Sequence, residues 1–66
     1  MIKLKDLVAL IDTDDRIDLM GDIELDYFNP NDSAMMGKYG DMTVISLSSY
    51  PHNWDYTVYV LTVKYN

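Results

Sequence analysis

The sequence predicts a single α+β domain over residues 1–66, with one N-terminal helix packed on a mainly antiparallel four-stranded sheet. Three observations lead to this fold class. A helical pattern of apolar residues occupies residues 3–11, a pattern of period two begins at Arg16, and residues 42–50 and 56–65 are rich in β-branched and aromatic side chains. One helical pattern followed by several strand patterns is typical of α+β proteins.

The N-terminal helix is predicted from the spacing of its apolar residues. Four of them recur at i, i+3, i+4 and i+7 and share one helical face: Leu4, Leu7, Val8 and Ile11. Leu10 broadens this face, and Asp6 lies in the first turn, where the helix dipole favours an anion. Because a helix of two to three turns is marginal alone, we expect it to dock on the sheet.

An aspartate-rich turn follows the helix. Asp12, Asp14 and Asp15 place carboxylates where the helix dipole disfavours them, so the helix is expected to end here. The D-x-D spacing is also found in calcium loops. An EF-hand loop, however, requires Gly at position 6 and Glu at position 12, and counting from Asp12 these positions hold Ile17 and Ile23. We therefore predict a polar turn and no metal site.

From Arg16 onward the side chains alternate, which is typical of a half-buried sheet with an acidic outer face. The apolar, inward set is Ile17, Leu19, Ile23, Leu25 and Tyr27. The acidic, outward set is Asp18, Asp22, Glu24 and Asp26. Because opposed residues share a face, a two-residue turn at Gly21 would mix the two sets, so we predict a three-residue or bulged hairpin. The alternative is one long strand bent at Gly21.

A break in the strand pattern is expected at residues 28–32, where Pro30 cannot donate a ladder hydrogen bond. Asn31 or Asp32 could cap a short helical turn over residues 33–36. Gly37 would then end that turn.

The last predicted strand has two apolar faces. One face carries Val58, Val60 and Thr62, and the other carries Tyr59, Leu61, Val63 and Tyr65. Such a strand is either central in its sheet or covered on its second side by another subunit. With only one good helix available, we favour the second alternative. The tyrosine-containing face is therefore the predicted self-association surface, and a homodimer is the favoured oligomer.

Composition limits the functions open to the chain. There is no cysteine and one histidine, which argues against disulfides and zinc sites, and no apolar run is long enough to span a bilayer. The net charge of −6 disfavours direct binding of nucleic acid and favours a basic protein partner. Met1 leads directly into the helical pattern, not into a signal peptide, so we expect a cytoplasmic protein.

No catalytic constellation is indicated. Ser46, Ser48 and Ser49 precede His52 and Asp55, but none of the serines has the glycine pattern of a nucleophile elbow. The outward carboxylates look alike and solvated, whereas acid–base work needs two carboxylates in different environments. We therefore expect no enzyme activity and no cofactor.

An aromatic group brackets one predicted hairpin end: Tyr50, His52, Trp54 and Tyr56. These rings could cover the end of a small core. They could also contact a partner, since Trp and Tyr are enriched at interfaces. Stacking of a nucleotide is a third interpretation, although no basic residue lies within this segment.

The acidic outer set leads to a binding function. Asp18, Asp22, Glu24 and Asp26 would contact a basic surface on a larger protein, such as a host protein that itself binds nucleic acid. Alternate residues of a strand lie about 6.6–6.8 Å apart, whereas duplex DNA carries one charge per about 1.7 Å. One strand is therefore too sparse to mimic DNA, and mimicry would require a second strand or a second subunit.

The segment I-K-L-K-D-L-V-A-L-I-D-T-D-D-R-I-D-L, residues 2–19, resembles small open reading frames of Gram-positive bacteria and their phages. In size and acidity the chain is similar to phage-encoded inhibitors of bacterial defence, such as anti-CRISPR proteins. The resemblance covers the first third of the chain and its general layout. It implies a viral inhibitor that binds a host nuclease or immune complex in the host cytoplasm and has no chemistry of its own.

Two alternatives come from other functional classes. The chain could be a small homo-oligomeric structural or accessory module whose acidic face only confers solubility. It could also be a small-molecule sponge that binds nucleotides at the aromatic hairpin end.

Overall fold

A computed structural model describes residues 2–11 and 14–66, so the predicted turn at Asp12 and Thr13 lies partly outside the described residues. The elements in chain order are β1 Ile2–Lys3, α1 Leu4–Val8, β2 Arg16–Gly21, α2 Ser33–Tyr39, β3 Thr43–His52 and β4 Tyr56–Lys64. The sheet has four strands in the order β1-β3-β4-β2. The predicted α+β class is confirmed, and the sheet has the predicted four strands, although β1 takes the place of the strand predicted after Gly21. The sheet is mixed, because β2 runs parallel to β4 while the other neighbours are antiparallel.

The core joins α1 to the sheet. Its buried members are Leu4, Val8, Ile17, Leu19, Phe28, Met42, Val44, Leu61 and Val63. Leu7 and Ile11 are partly buried and pack against this cluster, although Ile11 lies beyond the end of α1. Leu10 instead is 79% exposed and adds nothing to the apolar face, because α1 ends at Val8, before its second turn is complete, and is shorter than the predicted two to three turns.

Residues 2–5 are fixed to β3 and to the segment that precedes it. Ile2 of β1 pairs with Val44. The Leu4 and Lys5 N–H groups donate to Met42 O at 2.8 Å and Gly40 O at 2.9 Å. These bonds satisfy two of the donors that a helix N-terminus leaves unpaired. The sequence pattern did not predict β1, because two residues carry no recognisable period.

Gly21 ends β2 and turns the chain. Its φ of +107° is unfavourable for any residue with a side chain, and a Cβ would lie 2.4 Å from Val63 O. Leu19 and Leu25 then exchange two backbone hydrogen bonds of 2.8 and 3.0 Å. This pairs an odd residue with an odd residue, as predicted. The pairing is a single bridge, however, so residues 22–28 do not form the predicted second strand.

The alternation of side chains reverses at Tyr27. Its φ of +58° rotates the chain, so Tyr27 is 65% exposed whereas Phe28 is buried in the core. The prediction that Tyr27 points inward is therefore wrong. A hydrogen bond of 2.7 Å from Phe28 N–H to Ile17 O holds this segment along β2.

The short helix predicted after Pro30 is present and longer than expected. Asp32 is its N-cap and accepts hydrogen bonds from Ala34 N–H and Met35 N–H, at 2.9 and 3.2 Å. Gly37 lies inside α2 and does not end it. The C-cap is Gly40, where a Cβ would lie 2.4 Å from Met36 O.

The two apolar faces of β4 follow from its central position. β4 lies between β3 and β2, so of the two sequence-based alternatives the central strand applies. Leu61 and Val63 join the core on one face. Val58, of opposite parity, is also fully buried and lies between Arg16 and Tyr50 in the sheet register.

A glycine pair tests the turn at the end of β2. Gly21→Ala is expected to lower the free energy of unfolding by about 2 kcal/mol or more, because the new methyl meets Val63 O in a left-handed backbone. Gly37→Ala is the matched control. It lies inside α2 with nothing within 4 Å, so it should raise the stability by about 0.5–1 kcal/mol. Urea denaturation measures both, and equal effects of the two variants would contradict the assigned turn.

Candidate binding surfaces

Three of the four predicted acidic residues lie exposed on a short segment after Gly21. We call residues 22–26 the acidic segment. Within it Asp22, Glu24 and Asp26 are exposed, whereas Ile23 and Leu25 are partly buried and pack against the core. The predicted sorting of side chains thus continues beyond the strand, because burial of the two apolar residues fixes which way the carboxylates point.

Asp18 departs from this set. Its carboxylate is largely buried and accepts a 2.7 Å hydrogen bond from Arg16 Nε, together with a 3.2 Å bond from Tyr27 N–H. The hydrogen bond to Asp18 raises the pKa of the Arg16 guanidinium further above its usual value. The same guanidinium lies 3.8 Å from the centre of the Tyr27 ring. The charge of Asp18 is therefore compensated within the fold.

The carboxylates of the acidic segment have no such compensation. Asp22 Oδ2 accepts a 2.9 Å hydrogen bond from Tyr65 N–H, which ties the segment to the end of the chain. Among the residues that the structure describes, neither Glu24 nor Asp26 forms an ion pair. The negative charge of this segment therefore remains available to a cationic partner.

Asp41 is the second compensated carboxylate. Lys5 Nζ lies 3.1 Å from its Oδ1 and Lys3 Nζ lies 3.8 Å away. The hydrogen bond and charge of Lys5, followed by the charge of Lys3, hold the pKa of Asp41 below its usual value. The same contact raises the pKa of Lys5. These pairs reinforce the attachment of α1 to the residues before β3.

The predicted aromatic group forms the tip of the β3–β4 hairpin. The rings of His52 and Tyr56 stack with centroids 4.7 Å apart and an angle of 8° between planes. Tyr50 lies on the same face as His52, two residues before it on β3, and is half exposed. Trp54 is 98% exposed, so of the four rings it is the one that contributes nothing to burial within the chain.

Trp54 also has an unfavourable backbone conformation. Asn53 and Trp54 have φ values of +47° and +66°, and Asp55 N–H donates to His52 O at 2.9 Å. Two consecutive residues with positive φ are characteristic of a type I′ turn, in which Asn-Gly is strongly preferred. Asn tolerates the left-handed region, whereas a bulky aromatic residue there is an outlier. Since no packing offsets this cost, Trp54 is a candidate for contact with another molecule.

The acidic segment and the hairpin tip lie at opposite ends of the sheet. Gly21 is in register with Val63, near the end of β4, whereas the tip precedes Tyr56 at its start. β4 has nine residues, and at about 3.3 Å per residue its ends are roughly 30 Å apart. The two surfaces therefore cannot form one compact site.

The serine, histidine and aspartate residues considered for catalysis are not brought together. Ser46 and Ser48 share a face with His52, and Ser49 lies on the opposite face. Ser48 is four residues from His52 along β3, which corresponds to about 13 Å in a strand. That separation exceeds the reach of a hydrogen bond between the two side chains.

The predicted self-association residues are split between core and surface. Leu61 and Val63 are buried in the same cluster as Leu4 and Val8. Tyr59 is half buried and Tyr65 is exposed. The fold of one chain thus already uses the apolar residues of this face, and only the two tyrosines remain accessible to a second molecule.

Two surface features were not predicted from the sequence. One is a cleft of about 320 Å³ between the start of β2 and residues 27–31, with Arg16 and Tyr27 in its wall. Arg16 is the only arginine of the chain, and it was the one feature of the sequence that could have pointed to this cleft. The other is the outer edge of β3, which pairs with β1 only at Thr43 and Val44. Strand order decides which edge is open, and periodicity does not encode strand order.

Comparisons with protein-family models, with curated proteins and with solved structures find no match to this chain. Neither of the helices that the structure describes has the length and apolarity needed to cross a bilayer.

Replacement of the strained tryptophan tests the geometry of the tip. Trp54→Gly removes a left-handed side-chain penalty of about 1–2 kcal/mol and adds a glycine entropy cost of about 0.5–1 kcal/mol. The net expectation is a small gain in stability by chemical denaturation. Asn53→Gly is the control and should give no gain, because Asn already tolerates this backbone. A marked loss of stability in Trp54→Gly would show that the ring packs on the chain.

The Asp41 ion pairs predict a pH-dependent contribution to stability. Because folding lowers the pKa of Asp41, the contribution is present above the unfolded value of about 3.9 and is lost as the pH falls through the folded value. Asp41→Asn should therefore melt below the wild type at neutral pH and converge with it in acid. Glu24→Gln, which alters an exposed carboxylate that forms no ion pair with the described residues, is the control and should melt close to the wild type at neutral pH. A constant difference between Asp41→Asn and the wild type would contradict the ion-pair assignment.

Proposed function

We propose that this chain is a non-catalytic acidic binding protein that occupies a basic surface of a larger protein. The exposed carboxylates of Asp22, Glu24 and Asp26 carry the proposal, because they lie together on the acidic segment. The partner class is a host nuclease or immune complex, as in the phage-encoded inhibitors of bacterial defence that the chain resembles. A protein that binds nucleic acid offers the basic surface that such an inhibitor requires.

The acidic segment is held in place before any partner arrives. Ile23 and Leu25 pack against the core, the Leu19–Leu25 bridge supplies two hydrogen bonds, and Asp22 accepts from Tyr65 N–H. Groups that are already ordered lose less conformational entropy on binding. This supports a role in recognition, because the backbone that carries the carboxylates is held in place while their charges are not neutralised.

The chain's overall charge supports the same partner. A net charge of −6 on 66 residues produces a negative potential that attracts a basic surface over several ångströms and raises the association rate. Asp18 does not take part in the proposed contact, since Arg16 compensates it. The binding set is thus narrower than the sequence alone predicts.

Trp54 supplies the second contact of the proposed interface. A tryptophan that is exposed at the tip of a hairpin resembles the aromatic residues that dominate binding energy at many interfaces. Its distance from the acidic segment means that a partner must contact both ends of the sheet, or that two partner subunits contact one end each. A multi-subunit immune complex fits the second arrangement.

Neutralising the acidic segment tests the proposal. Glu24→Gln/Asp26→Asn should lose capture of basic proteins from a bacterial lysate, because the uncompensated charges are removed without a change in side-chain size. Asp6→Lys is the matched control: Asp6 lies on the exposed side of α1, and both variants change the formal charge of −6 by two units. Capture should persist in the control and should weaken with added salt in the wild type.

Rates measured on a captured partner separate the two contacts. Loss of the carboxylates should mainly slow association, whereas Trp54→Gly should mainly speed dissociation. Equal capture by the wild type and Glu24→Gln/Asp26→Asn would contradict the proposed role of the acidic segment. If Asp6→Lys lost capture to the same extent, the effect would be due to net charge and not to the acidic segment.

A further inference from the structure

The outer edge of β3 is unpaired over most of its length. β3 has ten residues, and β1 pairs only with Thr43 and Val44. Among the described residues, none forms a backbone ladder with the far side of residues 45–52. A row of unpaired N–H and C=O groups on an edge strand is a template for pairing with another chain.

This edge lacks the features that usually prevent such pairing. Natural edges carry Lys, inward-pointing charges, Pro or a bulge, yet residues 43–52 contain no charged side chain. The bulge lies between Val44 and Ser46, where β1 ends, and Pro51 lies at the tip. Residues 46–50 between them are unprotected. We call residues 46–50 the open edge.

The open edge also exposes apolar side chains. Leu47 is 52% exposed and Tyr50 is 48% exposed, and Ile45 beside them is 54% exposed. Leu47 is in register with Leu61, which is fully buried. On this face of the sheet the β4 residue is buried in the core, whereas the β3 residue is exposed. A strand added beside β3 would therefore cover Leu47 and continue the apolar face of the sheet.

We propose that the open edge pairs antiparallel with the open edge of a second copy of this chain, around a two-fold axis at Ser48. In a continuous sheet opposed residues share a face, so Leu47 would oppose Ser49 of the second copy and Ser46 would oppose Tyr50. The two Leu47 side chains become diagonal neighbours on the core-bearing face. β1 and the bulge end the ladder on each side, which limits it to these five residues.

The absence of charged side chains on β3 allows a second copy to occupy the open edge. Two chains of net charge −6 repel each other across most approaches. Pairing through β3 brings together two strands without charge. The acidic segments lie beyond β2, at the opposite edge of each sheet, so they remain far apart in the pair. The contact is short, and a dissociation constant in the micromolar range is expected for so small an interface.

This pairing is independent of the proposed binding function. It assigns self-association to β3, whereas the sequence assigned it to Tyr59, Leu61, Val63 and Tyr65 on β4. It also leaves the acidic segment and Trp54 uncovered, so the two proposals can succeed or fail separately.

Sedimentation equilibrium tests the dimer. The wild type should shift from one chain mass toward two at high micromolar concentration. Leu47→Lys should raise the dissociation constant at least about tenfold, because it places two cations as diagonal neighbours across the axis. Leu10→Lys is the control, since it makes the same change at an exposed leucine outside the sheet, and it should dimerise like the wild type.

Two further readouts locate the contact. Added salt should strengthen the dimer, because it screens repulsion between acidic chains, whereas salt weakens capture of a basic partner. Hydrogen exchange should show concentration-dependent protection within residues 46–50. A wild type that stays monomeric at high micromolar concentration overturns the proposal. So does a dimer that Leu47→Lys leaves intact, or protection that appears only on another element.

Discussion

The parallel pairing of β2 with β4 is the constraint on which the rest of the structure depends. It places β4 in the middle of the sheet, so that Leu61 and Val63 serve the core while Val58 is covered between Arg16 and Tyr50. Gly21 permits this pairing, because its left-handed backbone lets the chain leave β2 close to Val63. The acidic segment then emerges at the end of the sheet opposite the hairpin tip, and this separation shapes the proposed mode of binding.

Periodicity predicted which residues are buried better than it predicted what they pair with. Ile17 and Leu19 are in the core, and Ile23 and Leu25 remain on its side even where regular strand structure stops. Hydrophobic burial fixes parity regardless of the neighbouring strand. The parallel orientation of β2 depends on the path through α2 to β3, which no local pattern encodes. Tyr27 was assigned to the wrong side because its positive φ shifts the alternation by one residue.

The candidate sites show the same division between local and non-local information. Exposure of Glu24 and Asp26 follows from alternation and was predictable. The compensation of Asp18 was not, because its partners include the Tyr27 backbone nine residues away, and Arg16 was read only as the start of a strand. The aromatic tip was recognised as a group. The rings divide into a stacked His52–Tyr56 pair and an isolated Trp54 because of the turn geometry. The Asn-Trp dipeptide does not predict this turn, since Asn-Gly is the dipeptide typical of it.

Length explains why this chain leaves so much of its hairpin bare. β3 has ten residues and extends about 33 Å. α1 and α2 have five and seven residues, and at about 1.5 Å per residue they are about 7.5 and 10.5 Å long. Neither helix can follow β3 to its tip, so the half toward Tyr50 stays exposed within the part of the chain that the structure describes. A domain of 66 residues that places nineteen of them in the two strands of one hairpin therefore exposes apolar strand residues, and the proposed pairing with a second copy would cover part of them.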